Sequence, residues 1–412
     1  MRETPEWPWV KLRRMASVVT TKATEKSFEL GLEDIESWTG RLLTAESTYE
    51  AAGVAFEKGD VLFGKLRPYL AKVYQAEQRG QAVGDFIVLR PGRNVHSRFL
   101  TYNLLEQRLI DRLTAGAYGS KMPRTNWDDL GSQPIWLPPY EEQRRIAAFL
   151  DHETARIDEL VHEQERLQGL LAEKRGEVIG RAVREGLDGE ELIYIDDMFI
   201  RNAPRSWQVS PLRRFLRHIS PRQVGEAWSE YTLLSLTRQG IIERDIDSGV
   251  GKFPAEFNGY QRVDPDQLVF CLFDMDETPR TVGHSAQLGM ITSAYAVFEP
   301  TSEGNAEFIS YYFQYVDTYK GLRPFYSGLR KTIRPNAFLG IRVAMPTLDE
   351  QKRIVQFLNV ELQKLDELTA IVQKGIDLLL ERRSALITAA VTGQLDLRDW
   401  QLPASRVVAE VA

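Results

Sequence analysis

The chain has 412 residues, of which 43% are hydrophobic and 27% are charged, a composition typical of globular proteins that fold in water. Its only cysteine, Cys271, excludes an internal disulfide and suits a reducing cytoplasm. The N-terminus lacks the apolar segment of an export signal, and no run of about 18 apolar residues predicts a membrane span. We therefore expect a cytoplasmic protein that divides into about two to four compact units.

The net charge of −6 argues against a nucleic-acid binder only if the acidity is spread evenly along the chain. Residues 1–137 carry 19 Lys and Arg against 17 Asp and Glu, and residues 200–345 carry 17 against 15, so each segment is +2. The acidic excess lies in residues 138–199, with 8 basic against 16 acidic residues, and in residues 346–412, with 8 against 10. The weak positive charge of the two larger segments permits DNA binding but does not by itself predict it.

Short apolar runs bounded by Gly, Pro and Asp predict β-strands in the first 137 residues and again after the middle of the chain. These strands are predicted at residues 61–63, 86–89, 268–270 and 294–298, and helices are predicted to follow at 99–112 and 308–319. Each segment is therefore predicted to be an α/β domain. Matching short sequences, such as Leu12–Arg14 and Leu212–Arg214, indicate that the two domains are distant copies.

A second, closer repeat follows each of these domains. Residues 138–188 and 346–396 align without a gap at an offset of 208, with 20 of 51 positions identical. Ungapped identity at this level indicates a duplicated structural unit. Several charged and aromatic positions are shared: Glu142/Glu350, Gln143/Gln351, Arg145/Arg353, Phe149/Phe357, Asp158/Asp366, Glu173/Glu381 and Arg175/Arg383.

Each copy of this repeat is predicted to be one helix of about 44 residues, or about 65 Å. A seven-residue apolar period is typical of a coiled-coil seam. The predicted seam positions are Leu150, Ile157, Gln164, Leu171 and Val178 in the first copy and Leu358, Leu365, Val372, Leu379 and Leu386 in the second. Other apolar residues are expected to support the seam: Leu160, Leu167, Leu170, Leu362, Leu368, Ile376 and Leu378.

The ends of both helices carry local signals. Thr347 and Glu350 have the spacing of a capping box, and Pro139 suits the start of the first helix. Gly186 and Gly393 suit the two C-terminal ends.

These patterns predict a mixed α/β (α+β) fold, in which two globular α/β domains are separated by two long helices forming an antiparallel coiled coil with pseudo-two-fold symmetry. One helix cannot bury its own apolar stripe, so two stripes in one chain most simply bury each other. The alternative is that each stripe packs only on its own domain. The predicted boundaries are 1–137 for the first domain, 138–188 for the first helical region, 189–203 for a linker, 204–345 for the second domain, 346–398 for the second helical region and 399–412 for a tail.

Three sequences are similar to motifs of nucleotide-binding or catalytic sites but lack a residue that the chemistry needs. Gly59–Leu66 has the spacing of a P-loop, but Leu66 stands where Ser or Thr would hold Mg²⁺. Leu137–Tyr140 is similar to the loop of amino-methyltransferases but lacks the amide or carboxylate that would bind the substrate amine. Asp274–Glu277 is interpreted as a solvated loop, and the five histidines have no ligand spacing. We therefore predict neither catalytic residues nor a metal site.

Basic residues lie next to aromatic residues and glycines in matching loops of the two domains. Such loops can place Arg or Lys against phosphates and can offer Arg to guanine edges. The alternative is that they are ordinary turns with solvated charges. The predicted DNA-binding residues are Lys65, Arg67, Tyr118, Ser120, Lys121 and Arg124 in the first domain and Arg222, Arg238, Arg323, Tyr326, Arg330, Lys331 and Arg334 in the second.

The repeated motif Pro-Pro-x-x-Glu-Gln-x-Arg-Ile, which returns as Pro-Thr-x-x-Glu-Gln-x-Arg-Ile, and the closing sequence Ala390–Arg398 resemble the specificity subunit of type I restriction–modification enzymes. Gly31–Gly40 and Gly59–Tyr69 are similar to segments of target-recognition domains in that family. Pro5–Trp9 and Ala203–Trp207 are similar to the openings of those domains. The resemblance extends over essentially the whole chain and is weaker in the second domain.

This resemblance implies a non-catalytic subunit in which each domain reads one half of a bipartite site in double-stranded DNA, while the helices set the gap. It implies two methylation subunits that transfer a methyl group from S-adenosylmethionine to adenine, and motor-nuclease restriction subunits that use ATP and Mg²⁺. No cofactor is expected in this chain itself. The alternative function is a helical adaptor that does not read DNA. Structural or partner-interface roles are predicted at the helix starts for Glu142, Gln143, Arg145, Glu350, Gln351 and Arg353.

Overall fold

A computed structural model describes residues 7–24, 28–43, 53–246, 256–278 and 280–403. The chain forms two compact units, of which the first comprises residues 1–166 and 372–412 and the second comprises residues 167–371. Each unit contains one globular domain, part of one long helix and part of the other. The first two residues of the opening phrase Pro5–Trp9 and most of the predicted tail, residues 404–412, lie outside the described residues.

The globular part of the first unit consists of short strands, three short helices and three 3-10 turns, followed by the first long helix. The strands are β1 (Trp9–Lys11), β2 (Ala16–Val19), β3 (Phe28–Leu30), β4 (Val54–Phe56), β5 (Val61–Gly64), β6 (Val73–Gln75), β7 (Gly80–Ala82), β8 (Phe86–Pro91) and β9 (Pro134–Trp136). The helices are α1 (Ser97–Leu104), α2 (Gln107–Ala115), α3 (Trp127–Ser132) and α4 (Tyr140–Glu185), with 3-10 turns at Leu12–Arg14, Leu32–Asp34 and Pro68–Leu70.

The apolar run of β5 is continuous because both faces of its sheet are covered. Val61 and Phe63 pack in the same core cluster as Phe99 of α1. Leu62, which points to the opposite face because side chains alternate along a strand, packs in a second cluster with Leu30 of β3. The P-loop-like spacing at residues 59–66 therefore belongs to a buried strand and not to an open phosphate cradle.

The second unit repeats this plan. Its strands are β10 (Leu192–Tyr194), β11 (Asn202–Pro204), β12 (Gln208–Pro211), β13 (Leu216–Ile219), β14 (Leu233–Thr237), β15 (Gly240–Arg244), β16 (Tyr260–Val263), β17 (Leu268–Phe270), β18 (Val282–His284), β19 (Gly289–Thr292), β20 (Ala296–Pro300) and β21 (Arg342–Met345). The helices are α5 (Ala306–Thr318), α6 (Pro335–Gly340) and the second long helix α7 (Leu348–Val391), with 3-10 turns at Leu212–Arg214, Gly225–Glu230 and Arg323–Phe325.

The two globular domains share one sheet topology. The antiparallel order β2-β8-β5-β6 in the first domain matches β13-β20-β17-β18 in the second. The second sheet has the order β3-β7-β4 in the first domain and β14-β19-β16 in the second, with a parallel first pair and an antiparallel second pair in both. Only the second domain extends this sheet with the hairpin strand β15. The duplication predicted from weak sequence matches is therefore confirmed within the described residues by strand order.

The long helices have 46 and 44 residues, close to the predicted length. Gly186 and Gly393, at positive φ of 65° and 74°, follow their C-terminal ends as predicted. At the start of α7, only half of the predicted capping box forms. The Oγ1 atom of Thr347 accepts a hydrogen bond from the Glu350 backbone N–H at 3.4 Å, whereas the Glu350 carboxylate accepts from the Trp207 indole N–H.

Within each unit, segments of α4 and α7 run antiparallel. In the first unit Asp158 pairs with Arg383 at 2.9 Å, and Gln164 lies beside Gly375. The second unit contains the same repeat-related pair, with Arg175 bonded to Asp366 at 2.6 Å. In the second unit Asp188, just after α4, also pairs with Arg353 near the start of α7. In both units the partner numbers fall along α7 as they rise along α4, so the predicted antiparallel pairing is present in each.

The buried face of the helices is narrower than the sequence predicts. Seam residues such as Leu150 and Leu358 are fully buried, and Leu362 and Ile376, four residues after a seam position, are also buried. The prediction was wrong for the remaining supporting leucines, which are 39–55% exposed: Leu160, Leu167, Leu170, Leu368 and Leu378. These lie three residues after or one residue before a seam position, which places them about 60° or 100° to one side of it around the helix, whereas the buried Leu362 and Ile376 lie about 40° to the other side.

Candidate nucleic-acid interface

Two segments of the first domain meet at the end of β5. The Thr125 backbone N–H donates to the Lys65 carbonyl at 3.0 Å, and the Arg67 N–H donates to the Pro123 carbonyl at 2.7 Å. We call residues 65–67 and 118–125 loop pair 1. It brings together all the DNA-binding residues predicted for this domain: Lys65, Arg67, Tyr118, Ser120, Lys121 and Arg124.

Loop pair 1 is basic, exposed and partly held by one carboxylate. Asp85 accepts hydrogen bonds from Arg124 at 3.0 and 3.2 Å and lies 3.9 Å from the Lys65 ammonium group. Arg67 and Lys121 are exposed and form no ion pair with the described part of the chain. The ring of Tyr118 is also exposed. Among the described residues, loop pair 1 therefore offers two cations without an ion-pair partner and one aromatic face to a ligand.

The second domain has a corresponding pair of segments at the end of β17. The Ile333 N–H donates to the Leu272 carbonyl at 2.9 Å, and the Asp274 N–H donates to the Arg330 carbonyl at 2.9 Å. We call residues 272–276 and 323–334 loop pair 2. It contains the following predicted DNA-binding residues: Arg323, Tyr326, Arg330, Lys331 and Arg334.

Arginine and lysine side chains in loop pair 2 are paired with two aspartates. Arg330 bonds Asp274 at 2.9 Å and lies over the Phe273 ring at 5.1 Å. Asp276 accepts from Arg323 at 2.9 Å and from Lys331 at 2.7 Å, and these two hydrogen bonds hold the pKa of Asp276 below its usual range. The interpretation of residues 274–277 as a solvated loop is therefore incomplete, because both aspartates form ion pairs.

Tyr326 lies in the same cluster. Burial, reinforced by the neighbouring Asp276, raises the pKa of Tyr326 to about 12. Its phenol therefore stays protonated at neutral pH and can donate a hydrogen bond.

One position has the same left-handed backbone conformation in both loop pairs but carries side chains of opposite charge. Arg67 and Asp274 each lie two residues after the carbonyl that joins the loops, and both are left-handed, with φ of 50° and 45°. A left-handed conformation costs a residue other than glycine about 1–2 kcal/mol. Both domains therefore keep a left-handed residue at this place, although its side chain differs between them.

Two residues predicted to bind DNA lie apart from loop pair 2. The Arg222 carbonyl accepts from the Arg262 N–H of β16, and Arg238 occupies the turn between β14 and β15. Both lie in loops next to strands of the other sheet of the second domain. Within the described residues, the structure thus brings together eleven of the thirteen predicted positions in two clusters and leaves these two outside them.

The glutamines at the helix starts have clear intramolecular roles. Gln143 is 1% exposed and bonds the His96 N–H and the Asn94 and Pro138 carbonyls at 2.9–3.1 Å. Gln351 is 0% exposed and makes the same three bonds in the second unit, to the Asn305 N–H and the Glu303 and Pro346 carbonyls. We call these two residues the glutamine anchors. Their burial shows a structural role and leaves no surface for a partner.

The other residues at the helix starts are partly exposed. Glu142 and Glu350 accept from the indole N–H groups of Trp7 and Trp207 at 3.1 and 3.0 Å. Arg353 pairs with Asp188 at 2.7 Å. A partner-interface role for these residues and for Arg145 stays a prediction.

Sequence reasoning missed the carboxylates that hold the basic loops. Asp85 is 39 residues from Arg124, and Asp274 is 56 residues from Arg330, so no local spacing shows these contacts. The sequence signal that could have indicated the contacts of the second domain is the alternation of Asp274 and Asp276 in one loop and the adjacent cations at 330 and 331 in the other. Among the described residues, no group of three or more His, Cys, Asp or Glu side chains is placed to hold a metal ion.

Comparison with known proteins finds a family similarity for the first part of the chain. Residues 9–168 match the model of the type I restriction modification DNA specificity domain. The specificity subunit of the type I restriction enzyme EcoDI from Escherichia coli is 26% identical over 160 residues, 37% of this chain. The match covers 36% of that relative, about a third of its length.

One solved structure extends the likeness in fold to nearly the whole chain. A chain solved in work on complex assembly and conformational transition of the type I restriction–modification system matches 96% of this chain and 100% of its own length. Its TM-score is 0.73 at 18% identity. The HsdS subunit from Thermoanaerobacter tengcongensis matches 95% of this chain and 98% of its own length, with a TM-score of 0.48 and 18% identity.

The specificity-domain family is non-catalytic. Within the described part of this chain, no helix is both long enough and apolar enough to cross a lipid bilayer.

Proposed function

We propose that this chain is the DNA specificity subunit of a type I restriction–modification complex and that each globular domain reads one half of a bipartite site. The match of residues 9–168 to a DNA specificity domain carries this proposal. The second domain supports it, because it repeats the sheet topology of the first and presents a basic loop pair at the end of the corresponding strand.

The chemistry of the loop pairs suits DNA. Exposed Lys121 and Arg67 can contact phosphates, which position a protein on a duplex, while arginines with a fixed orientation can read guanine edges in the major groove. The helices would set the distance between the half-sites and so the length of the unread gap. The predicted boundaries, with domains at 1–137 and 204–345, belong to this proposal.

The remaining activities would belong to partner proteins. Two methylation subunits would bind S-adenosylmethionine and methylate adenine in each half-site. Restriction would require two motor-nuclease subunits that use ATP and Mg²⁺. The partly exposed residues at the helix starts, Glu142, Arg145, Glu350 and Arg353, are proposed to contribute to the interface with these subunits.

The proposal is tested by expressing the chain with the methylation subunit of its system and mapping N6-methyladenine across the host DNA by single-molecule sequencing. We expect a new motif with two short specific halves around a fixed unspecified gap. An assembled complex that adds no methylation would contradict the proposal and favour the helical adaptor.

Lys121→Ala is expected to weaken binding to all DNA sequences to a similar extent. Lys121 is an exposed cation with no acidic partner in the described residues, so it is suited to a phosphate contact. The slope of log K against log salt concentration is negative, and losing one phosphate contact reduces its magnitude by about 0.9. The slope is measured by DNA binding across a salt series. Lys58→Ala is the matched control, because Lys58 precedes the opposite end of β5, and its slope is expected to stay at the wild-type value.

Lengthening both helices is expected to change the gap and to leave both half-sites unchanged. Four residues inserted after Ala172 in α4 and four after Thr369, the facing position of α7, add about 6 Å to each helix, or about two base pairs of DNA. Methylation mapping of this variant measures the new gap. A change in the bases of either half-site would show that the helices do more than set distance.

A further inference from the structure

Carboxylates contact the predicted DNA-reading cations in both domains. Asp85 bonds Arg124 and lies near Lys65 in loop pair 1. Asp274 bonds Arg330, and Asp276 bonds both Arg323 and Lys331 in loop pair 2. The arrangement is unexpected for a DNA-binding surface, because each carboxylate repels the phosphates that the neighbouring cations attract.

Stability does not explain these ion pairs. Arg330, Arg323 and Lys331 are 71%, 62% and 46% exposed, and exposed pairs of this kind contribute about 0–1 kcal/mol. The network nevertheless includes two residues in the left-handed conformation, Asp274 and Lys331, both with φ of 45°. Backbone strain of this kind persists where the surrounding structure imposes it and is concentrated at functional sites.

The carboxylates fix where the cations point. A guanidinium group has five N–H donors in a rigid fork, so a carboxylate that holds one edge directs the remaining donors. Asp276 accepts from both Arg323 and Lys331 and thus joins two parts of the loop pair. The ring of Phe273 supports Arg330 from one face while Asp274 holds its Nη2 atom.

The carboxylates also lower the attraction of the loops for phosphate. Loop pair 2 carries four cations, Arg323, Arg330, Lys331 and Arg334, and the two aspartates reduce their net charge from +4 to +2. Attraction to phosphate is independent of sequence, whereas a base contact depends on the position of the donor. The same two carboxylates therefore weaken the unspecific contribution to binding and strengthen the specific one.

From this geometry we infer that Asp85, Asp274 and Asp276 are positioning residues that increase sequence discrimination at the cost of unspecific affinity, each in the half-site read by its own domain. The inference rests on the proposed function. The aspartates stay in place when DNA binds, and the cations that they hold contact base edges.

The test uses the full chain in complex with its methylation subunits. Binding is measured on a duplex with the mapped methylation motif and on duplexes in which one half-site is scrambled, across a salt series. Asp276→Asn and Asp85→Asn remove one carboxylate from each domain. Asp274→Asn is a suitable third variant because asparagine also adopts the left-handed conformation. Glu303→Gln is the matched control, since it removes an exposed ion pair with Arg214 beside the start of α7.

We expect Asp276→Asn to bind scrambled DNA more tightly, with a salt slope steeper by about one unit. The ratio of motif to scrambled affinity should fall about tenfold, the effect of losing one well-oriented base contact. The methylation map should become degenerate only in the half-site read by the second domain, and Asp85→Asn should relax only the other half. Glu303→Gln should leave both the ratio and the map unchanged.

Equal gains on motif and scrambled duplexes would overturn the inference, because the aspartates would then only compete with phosphate. Unchanged binding in both variants, with unchanged melting temperatures, would overturn it as well. Failure of the proposed function is distinguishable from both results, because the wild-type complex would then yield no methylation motif.

Discussion

Replacing Gln351 with leucine is expected to destabilise the second unit by about 2–4 kcal/mol, because it leaves one buried and two partly buried backbone groups without their partner. The Gln351 side chain bonds the Asn305 N–H at 2.8 Å and the Glu303 and Pro346 carbonyls at 3.0 Å. An unpaired buried donor or acceptor costs about 1–3 kcal/mol, and leucine restores none of the three bonds. In a unit of this size the loss corresponds to a decrease in melting temperature of about 10 °C.

The experiment combines thermal unfolding of the full chain with hydrogen–deuterium exchange, which locates the weakened region. Exchange is expected to rise around residues 303–306 and at the start of α7. Gln143→Leu is expected to do the same in the first unit, around residues 94–96. Gln363→Leu is the matched control, because Gln363 is exposed and, within the described part of the chain, its side chain bonds only Glu367 on its own helix. Equal shifts for Gln351→Leu and Gln363→Leu would show that the glutamine anchors are dispensable.

The second large effect is expected for Arg383→Ala in the first unit. Arg383 and Asp158 have side chains that are only 6% and 12% exposed, and the Arg383 Nη1 atom also donates to the Trp38 carbonyl at 2.8 Å. Removing one partner of a buried ion pair costs about 3–5 kcal/mol, since the remaining charge stays buried. Arg41 lies 3.8 Å from Asp158 and can compensate in part, so we expect a loss of about 3 kcal/mol.

The duplication supplies the control for this experiment. Arg175 and Asp366 are the same repeat positions in the second unit, but their side chains are 39% and 65% exposed. Arg175→Ala is therefore expected to cost less than about 1 kcal/mol. Chemical denaturation measures both values. Asp158→Ala combined with Arg383→Ala should be less destabilising than the sum of the single changes. Similar losses for Arg383→Ala and Arg175→Ala would contradict the role assigned to burial.

The long helices were predictable because their signals are local. Apolar period, prolines at the start and glycines at the end determine where α4 and α7 begin and stop. The width of the buried face was not predictable. Leu160 and Leu368 are apolar in both repeats, yet they are exposed because burial depends on which face each globular domain covers.

The candidate site was likewise predictable only where its signals are local in sequence. The cations of loop pair 1 are close in sequence to glycines and aromatic residues, so their pattern predicts a ligand-binding loop. The meeting of residues 65–67 with residues 118–125 is a long-range tertiary contact, which sequence spacing does not give. For the same reason, the pairing of Asp274 with Arg330 could not be predicted without the fold.

The ion pairs Asp158–Arg383 and Arg175–Asp366 each join one repeat to the other. An ancestor with a single copy could form such bonds only with a second molecule, in an association that weakens on dilution. Fusion of two copies in one polypeptide keeps the partner at an effective concentration on the order of millimolar, whatever the amount of protein in the cell. It also ends the requirement that both halves be identical, so each half can change its ligand without altering the other.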